Sequence, residues 1–285
     1  RAKTSDIDIL PNASARIQFG GGLQARASYS KTIRRPDFGS LNPGLRYIVA
    51  TNPNVQNSGS AGNPDLRPQK SESFDATLEY YWKSGFVAVA GYYRDITDRV
   101  ISAPSLEFID GIGYNITRPR NVGEAKLKGV EVNVQSGFSF LPGFLSNFGA
   151  LANFTYVDSD ISYCDNAACL NPIRATLVNL SKYTANGTIY YEDDKFSVRA
   201  SASWRDKFLL RVPSGRAGSD VQGNMDALFV DATASYQITP QVQIRLEAQN
   251  LTNQELGFYQ DSVRQDSLYS TYSGRKFTAG VAVKF

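Results

Sequence analysis

The chain has no histidine, one methionine and two cysteines among its 285 residues. Without histidine there is no imidazole base for a serine triad and no His-containing zinc site. The sequence also lacks a phosphate-cradling glycine loop with its lysine and a nucleophile elbow, so no enzyme class finds its machinery here. Neither a metal nor an organic cofactor is expected. No apolar run approaches the roughly 20 residues of a membrane-spanning helix. The net charge is only +3, with Lys and Arg scattered among Asp and Glu. That leaves no basic stripe to follow phosphates, and a nucleic-acid partner is not expected. The opening RAKTSDIDIL has neither an initiator Met nor the basic-apolar-small order of a signal peptide, so further chain is expected upstream.

What is abundant points to β structure: 16 Tyr and 16 Phe stand beside 23 Gly. Apolar and polar residues alternate strictly through long segments, the mark of a strand with two different environments on its faces. From residue 241, Val242, Ile244, Leu246 and Ala248 oppose Gln243, Arg245, Glu247 and Gln249. Phe196, Val198, Ala200, Ala202 and Trp204 oppose Ser197, Arg199, Ser201, Ser203 and Arg205 in the same way. The template predicts about eleven strands, near residues 12–19, 23–34, 70–82, 86–100, 121–138, 146–161, 180–192, 196–210, 225–238, 241–255 and 268–285. Most reach the roughly 9–11 residues that a tilted strand needs to cross hydrocarbon.

The connections alternate in length. Short turns fall at residues 20–22, 83–85, 141–145, 192–195 and 239–240, and long polar joins at 35–69, 101–120, 162–179, 211–224 and 256–267. Short turns on one rim and long loops on the other is the plan of a transmembrane antiparallel β-barrel. A sheet in lipid must close, because nothing there satisfies an open edge, and single-chain bacterial barrels generally use even strand numbers. Eleven strands therefore imply partner strands outside this segment. Tyr80, Tyr81, Trp82, Tyr92, Tyr93, Tyr190 and Tyr191 cluster near strand ends, where rings suit an interfacial girdle. The acidic run Glu192, Asp193, Asp194 reads as a hairpin cap. Cys164 and Cys169 bracket the polar segment CDNAAC, which suits either a small loop disulfide in an oxidising compartment or two reduced thiols.

The stretch GNPDLRPQKSESFDATLEYYW (residues 62–82) closely resembles the entry to a late barrel strand in TonB-dependent outer-membrane receptors. RASYSKTIRRPDF from Arg26, NVGEAKLKGVEVNV from Asn121, and the ending QNLTNQELGFYQ through GRKFTAGVAVKF are similar to the same family in the expected order. The resemblance implies that residues 1–285 are the C-terminal part of a receptor barrel of about 22 strands in the outer membrane of a Gram-negative bacterium. The plug and first barrel half would lie upstream. It implies as partners outer-membrane lipid, those missing parts, the TonB energy-coupling protein through the missing N-terminus, and the barrel-assembly machinery, with Phe285 as the assembly signal.

By that resemblance the chain helps take up a scarce, large solute in an energy-dependent step. The subgroup it looks most like, on SYSKTIRRPDF, LPGFLSNFGALANFTYVDSD and NLSKYTANGTIYYE, is associated with oligosaccharides. The alternative solute is a ferric siderophore or cobalamin. Rival classes are a passive porin and a soluble all-β binding module. Loop residues Asn42, Arg46, Tyr47 and Asn52 carry amides, a cation and a ring suited to a sugar, while Arg211, Arg216, Tyr259 and Arg264 suit an anionic ferric chelate. Arg199, Arg205, Arg245 and Glu247 are expected to line the lumen, where they would border the solute path, meet the plug or hydrate the pore.

Overall fold

The computed structural model describes residues 7–52, 55–164, 172–214 and 218–284. In chain order the first strands are β1 (Asn12–Gly20), β2 (Leu23–Arg34), β3 (Arg46–Ile48), β4 (Ser58–Ser60), β5 (Gln69–Trp82) and β6 (Gly85–Thr97). Then come β7 (Val100–Ile109), β8 (Ile112–Asn121), β9 (Ala125–Gly137), β10 (Phe148–Tyr163), β11 (Ile173–Ala175), β12 (Tyr183–Glu192) and β13 (Phe196–Arg205). The last are β14 (Phe208–Arg211), β15 (Gln222–Asn224), β16 (Ala227–Thr239), β17 (Val242–Gln249), β18 (Glu255–Gln260), β19 (Asp266–Tyr272) and β20 (Lys276–Val283). The one α-helix described, α1 (Phe38–Leu41), is a single turn, and no described helix is long and apolar enough to cross a membrane.

Eleven of these strands form an antiparallel wall in the order β1-β2-β5-β6-β9-β10-β12-β13-β16-β17-β20, and β11 pairs with the far end of β10. The pairing keeps like residues on one face. Ile17, Ala25, Leu78, Val89, Val132, Phe154, Ala185, Trp204 and Leu228 are successive cross-strand partners over nine strands. Displaced by one residue on the other face run Gln18, Gln24, Glu79, Ala88, Asn133, Asn153, Asn186 and Ser203. A slip of one residue in any strand would exchange the two faces, so the sequence pattern fixes the register.

The apolar face has a defined upper limit. Beyond Tyr29, Phe74 and Tyr93 the same face turns charged, with Lys31, Glu72, Asp95, Lys126 and Asp160 as successive partners. Lys31 pairs with Glu72 at 2.9 Å, Lys128 with Asp158 at 3.4 Å, and Asp160 with Arg174. Along β6, Asp95 lies eleven residue steps from the turn at Ser84, which at about 3.3 Å per step and a tilt near 45° makes a band about 26 Å tall. That matches the roughly 25 Å apolar band of outer-membrane barrels.

Not every ring expected in the girdle faces outward. Tyr92 and Tyr190 lie on the polar face, each over its cross-strand partner glycine, Gly129 and Gly149, where an added Cβ would collide with the ring. Tyr81 also turns to the polar face and donates to Glu79 at 2.7 Å. Strict alternation forces this, since neighbouring tyrosines in a strand cannot share a face.

The long joins are not open loops. Residues expected as polar connections build most of two four-stranded sheets at the external rim, β3-β4-β8-β7 and β14-β15-β18-β19, with β14 and β19 drawn mainly from the ends of the predicted strands 196–210 and 268–285. Their cores include Ala103, Tyr114 and Ile116 in the first and Val221 and Tyr259 in the second. The predicted strand 241–255 breaks at Asn250, which takes a left-handed φ of 54°, and the predicted strand 268–285 divides between rim and wall. A third cluster, Ala125, Ile161 and Tyr163 with Ile96, Leu127 and Leu177, closes the space between the wall and the segment after β11.

Candidate ligand-binding rim and lumen face

Three of the four residues expected along the lumen come together on the polar face. Arg199, Thr233 and Glu247 are successive partners across β13, β16 and β17, and Arg245 lies 3.6 Å from Glu247. Arg199 lies over the Tyr190 ring, 5.6 Å from its centroid. Arg205 is used otherwise. Its Nε donates to Ser181 Oγ at 2.7 Å, Nη2 to the Asn179 carbonyl at 2.6 Å, and the guanidinium covers Phe208 at 3.7 Å. It fastens the loop before β12 to the wall.

Seven of the eight loop candidates are among the described residues, and they divide between the two rim regions. Asn42 ends α1, and its side chain accepts from Gly44 N at 3.0 Å while its carbonyl accepts from Gly62 N at 2.8 Å. Arg46 and Tyr47 lie in β3, exposed, with Tyr47 edge-on to Tyr114 at 5.2 Å. Asn52 is exposed and accepts from Val55 N. In the second sheet Arg211 is an exposed residue of β14. Tyr259 is only 4% exposed, seated against Gly223, and burial pushes its phenol up; it is a packing residue, not a ligand contact. Arg264 is hydrogen-bonded by Asp266, which with Asp261 raises its already high pKa, and it also donates to the Gly218 carbonyl at 3.0 Å. With two carboxylates and a carbonyl engaged, it has little left for an anion. Arg216, Phe285 and Cys169 lie outside the described residues. Cys164, just past β10, is disulfide-bonded.

The structure presents a cleft that loop composition did not single out. About 510 Å³ in volume, it lies where β2 gives way to the α1 segment and β7 approaches, and is lined by Arg34, Arg35, Asp37, Ser40, Gln69 and Ser102 with Val100 and Pro119. Arg34 has no ion-pair partner among the described residues, whereas Arg35 meets Asp8 at 3.1 Å. Asp37 is occupied as the α1 cap: the backbone N–H and hydroxyl of Ser40 bond its two oxygens and hold it below the usual carboxylate range. A polar mouth with an uncommitted guanidinium can take an anionic oxygen ligand. The signal in the sequence was the paired arginine at the exit of a strand, in KTIRRPDF.

On the opposite rim, Asp193 Oδ1 accepts from Lys195 N at 2.9 Å and Phe196 N at 2.8 Å, which lowers its pKa and makes it the hairpin cap that the acidic run suggested.

A wall apolar outside and polar inside, with tight turns below and built-up sheets above, is the class of outer-membrane receptor barrels. The chain belongs to the family described as TonB dependent receptor-like, beta-barrel, whose model matches residues 1–251. It is 23% identical to an iron-regulated outer membrane virulence protein of Vibrio cholerae over 95% of this chain and 42% of that protein. To the vitamin B12 transporter BtuB of Photobacterium profundum it is 25% identical, over 74% of this chain and 31% of that one. Among solved structures, the ferric enterobactin receptor PfeA of Pseudomonas aeruginosa matches with a TM-score of 0.70 at 18% identity, over 97% of this chain and 40% of that one. The siderophore receptor PirA of Acinetobacter baumannii matches with a TM-score of 0.70 at 18% identity, over 97% and 41%. The chain thus spans about a third to two fifths of the length of these relatives. It is an outer-membrane receptor barrel segment and not an enzyme.

Proposed function

We propose that residues 1–285 form the C-terminal wall and external rim of a receptor that captures a ferric siderophore, or a metal chelate of similar bulk such as cobalamin, for energy-coupled uptake. The observation that carries this is the arginine-lined cleft at the external mouth, where Arg34 has no ion-pair partner among the described residues. The relatives support the same choice of solute, because their names concern iron regulation, vitamin B12, enterobactin and siderophores. None of these supports the oligosaccharide reading. In such a receptor a plug, the remaining wall strands and the contact with TonB belong to other parts of the protein, and the barrel-assembly machinery inserts the whole.

Arg199, Arg245 and Glu247 border the solute path, and Arg46, Tyr47 and Arg211 present exposed side chains near the mouth. The test is binding and growth. Purified receptor is titrated with ferric enterobactin, cobalamin and a maltooligosaccharide, and a strain depending on the receptor is grown under iron limitation with each. Arg34→Ala is expected to weaken binding of the ferric chelate by about tenfold, as loss of one charge-assisted hydrogen bond implies. Saturable binding of the maltooligosaccharide alone would overturn the proposal.

A further inference from the structure

Near the β1 edge of the described wall, the membrane-facing side interrupts its run of bulky residues. Ala15, Ala27, Ala76 and Gly91 are successive cross-strand partners across β1, β2, β5 and β6. Tyr29, Phe74 and Tyr93 stand directly above them, with Tyr29 and Phe74 rings 4.9 Å apart, and Leu78 and Val89 stand below. The result is an apolar trough of about 650 Å³. Four strands at about 4.8 Å spacing give it a length of about 14 Å, slanted with the sheet. Gly91 is open to the outside: an added Cβ would meet only the Gly129 carbonyl, at 3.9 Å.

We infer that this trough seats one acyl chain of a phosphate-bearing lipid of the external leaflet. The face is the one that meets lipid, so an acyl chain is the solvent already present, and the trough holds it at a fixed place through dispersion contacts on three sides. The trough's upper border decides the leaflet. Immediately above the three rings lies the charged row, and Lys70, two residues beyond Glu72 on β5, has no ion-pair partner among the described residues. A chain lying in the trough places its headgroup beside Lys70, whose ammonium group suits a phosphate, whereas Lys31 is already paired with Glu72. Toward the short turns the face stays apolar through Leu78 and Tyr80, offering nothing to a headgroup from the other leaflet.

The protein, extracted from outer membranes in mild detergent and stripped of lipid, is titrated with deep-rough lipopolysaccharide and with phosphatidylethanolamine while bound lipid is counted by native mass spectrometry. One lipopolysaccharide is expected to bind in preference. Ala76→Leu with Gly91→Leu fills the trough and is expected to weaken binding about tenfold by removing the dispersion contacts that hold the chain. Gly91→Leu alone serves as the milder variant should the pair assemble poorly. Ala232→Leu, in a different depression of the same face, is expected to leave binding unchanged. Lys70→Ala is expected to narrow the preference for lipopolysaccharide. Equal binding by the filled variants, a preference for phosphatidylethanolamine, no bound lipid, or a second copy of the protein in place of lipid would each overturn the inference.

Discussion

Val89 and Ala90 are consecutive in β6 and face opposite ways, which makes them a direct test of which side meets lipid. Val89 is 42% exposed on the apolar face, flanked by Leu78 and Val132, and lies five residues from the short turn and six from the charged row, close to the middle of the band. An arginine there must leave water for hydrocarbon, which costs about 2–4 kcal/mol near the midplane of a barrel wall. At about 1.4 kcal/mol per decade, Val89→Arg should lower the folded-to-unfolded ratio by roughly thirtyfold to a thousandfold. Ala90 stands on the polar face between Thr77 and Glu131. Ala90→Arg meets an acidic cross-strand neighbour and should change stability by less than about 1 kcal/mol, in the favourable direction. Denaturant unfolding in phospholipid vesicles, extrapolated linearly, measures both. A costly Ala90→Arg beside a silent Val89→Arg would invert the faces, and two equally small effects would remove the lipid contact altogether.

Other consequences can be checked as readily. In the β7–β8 hairpin, the Arg118 hydrogen bond holds Glu107 below the usual carboxylate range against an opposing effect of burial. A depressed folded pKa stabilises above the unfolded value and the benefit is lost as pH falls through the folded one, so hydrogen-exchange protection factors in this hairpin, taken relative to the intrinsic rate at each pH, should fall below about pH 4. Gly149→Val should cost about 1–3 kcal/mol by driving Tyr190 off its seat, measured by the same unfolding assay. Gly22→Ala combines a φ of 89° with a collision against the Tyr81 carbonyl, and should slow assembly of the β1–β2 hairpin in a refolding time course.

The wall was legible because alternation over ten or more residues has a single physical reading, two faces in two solvents, and the register of Ile17 through Leu228 follows from it. The rim was not. Strands such as Ser58–Ser60 and Gln222–Asn224 are three residues long, too short for any period, and form only because neighbours from distant parts of the chain offer an edge. One rim signal was present but unused: Asp110 and Gly111, both at positive φ, are the two-residue hairpin turn between β7 and β8 inside a segment read as a polar join. Among the site residues, composition could nominate Tyr259 and Arg264 but could not say that one is buried and the other already neutralised. Both facts depend on partners, Gly223 and Asp261, that lie 36 and 3 residues away.

The upper sheets each stitch together two consecutive excursions of the chain. β4 runs parallel to β8, Asn63 donates to the Pro119 carbonyl, and Arg118 donates to the Gly62 carbonyl. β15 joins β18, and Asp220 accepts from Ser262 N. An evolving or engineered protein therefore cannot trade these excursions one at a time: a graft of residues 35–69 without 100–121 would lose the β4–β8 pairing and the hydrogen bonds of Asn63 and Arg118. Chimeras that exchange each pair as a block should keep their surface shape, and antibodies raised against this surface should read composite epitopes that no single linear peptide reproduces.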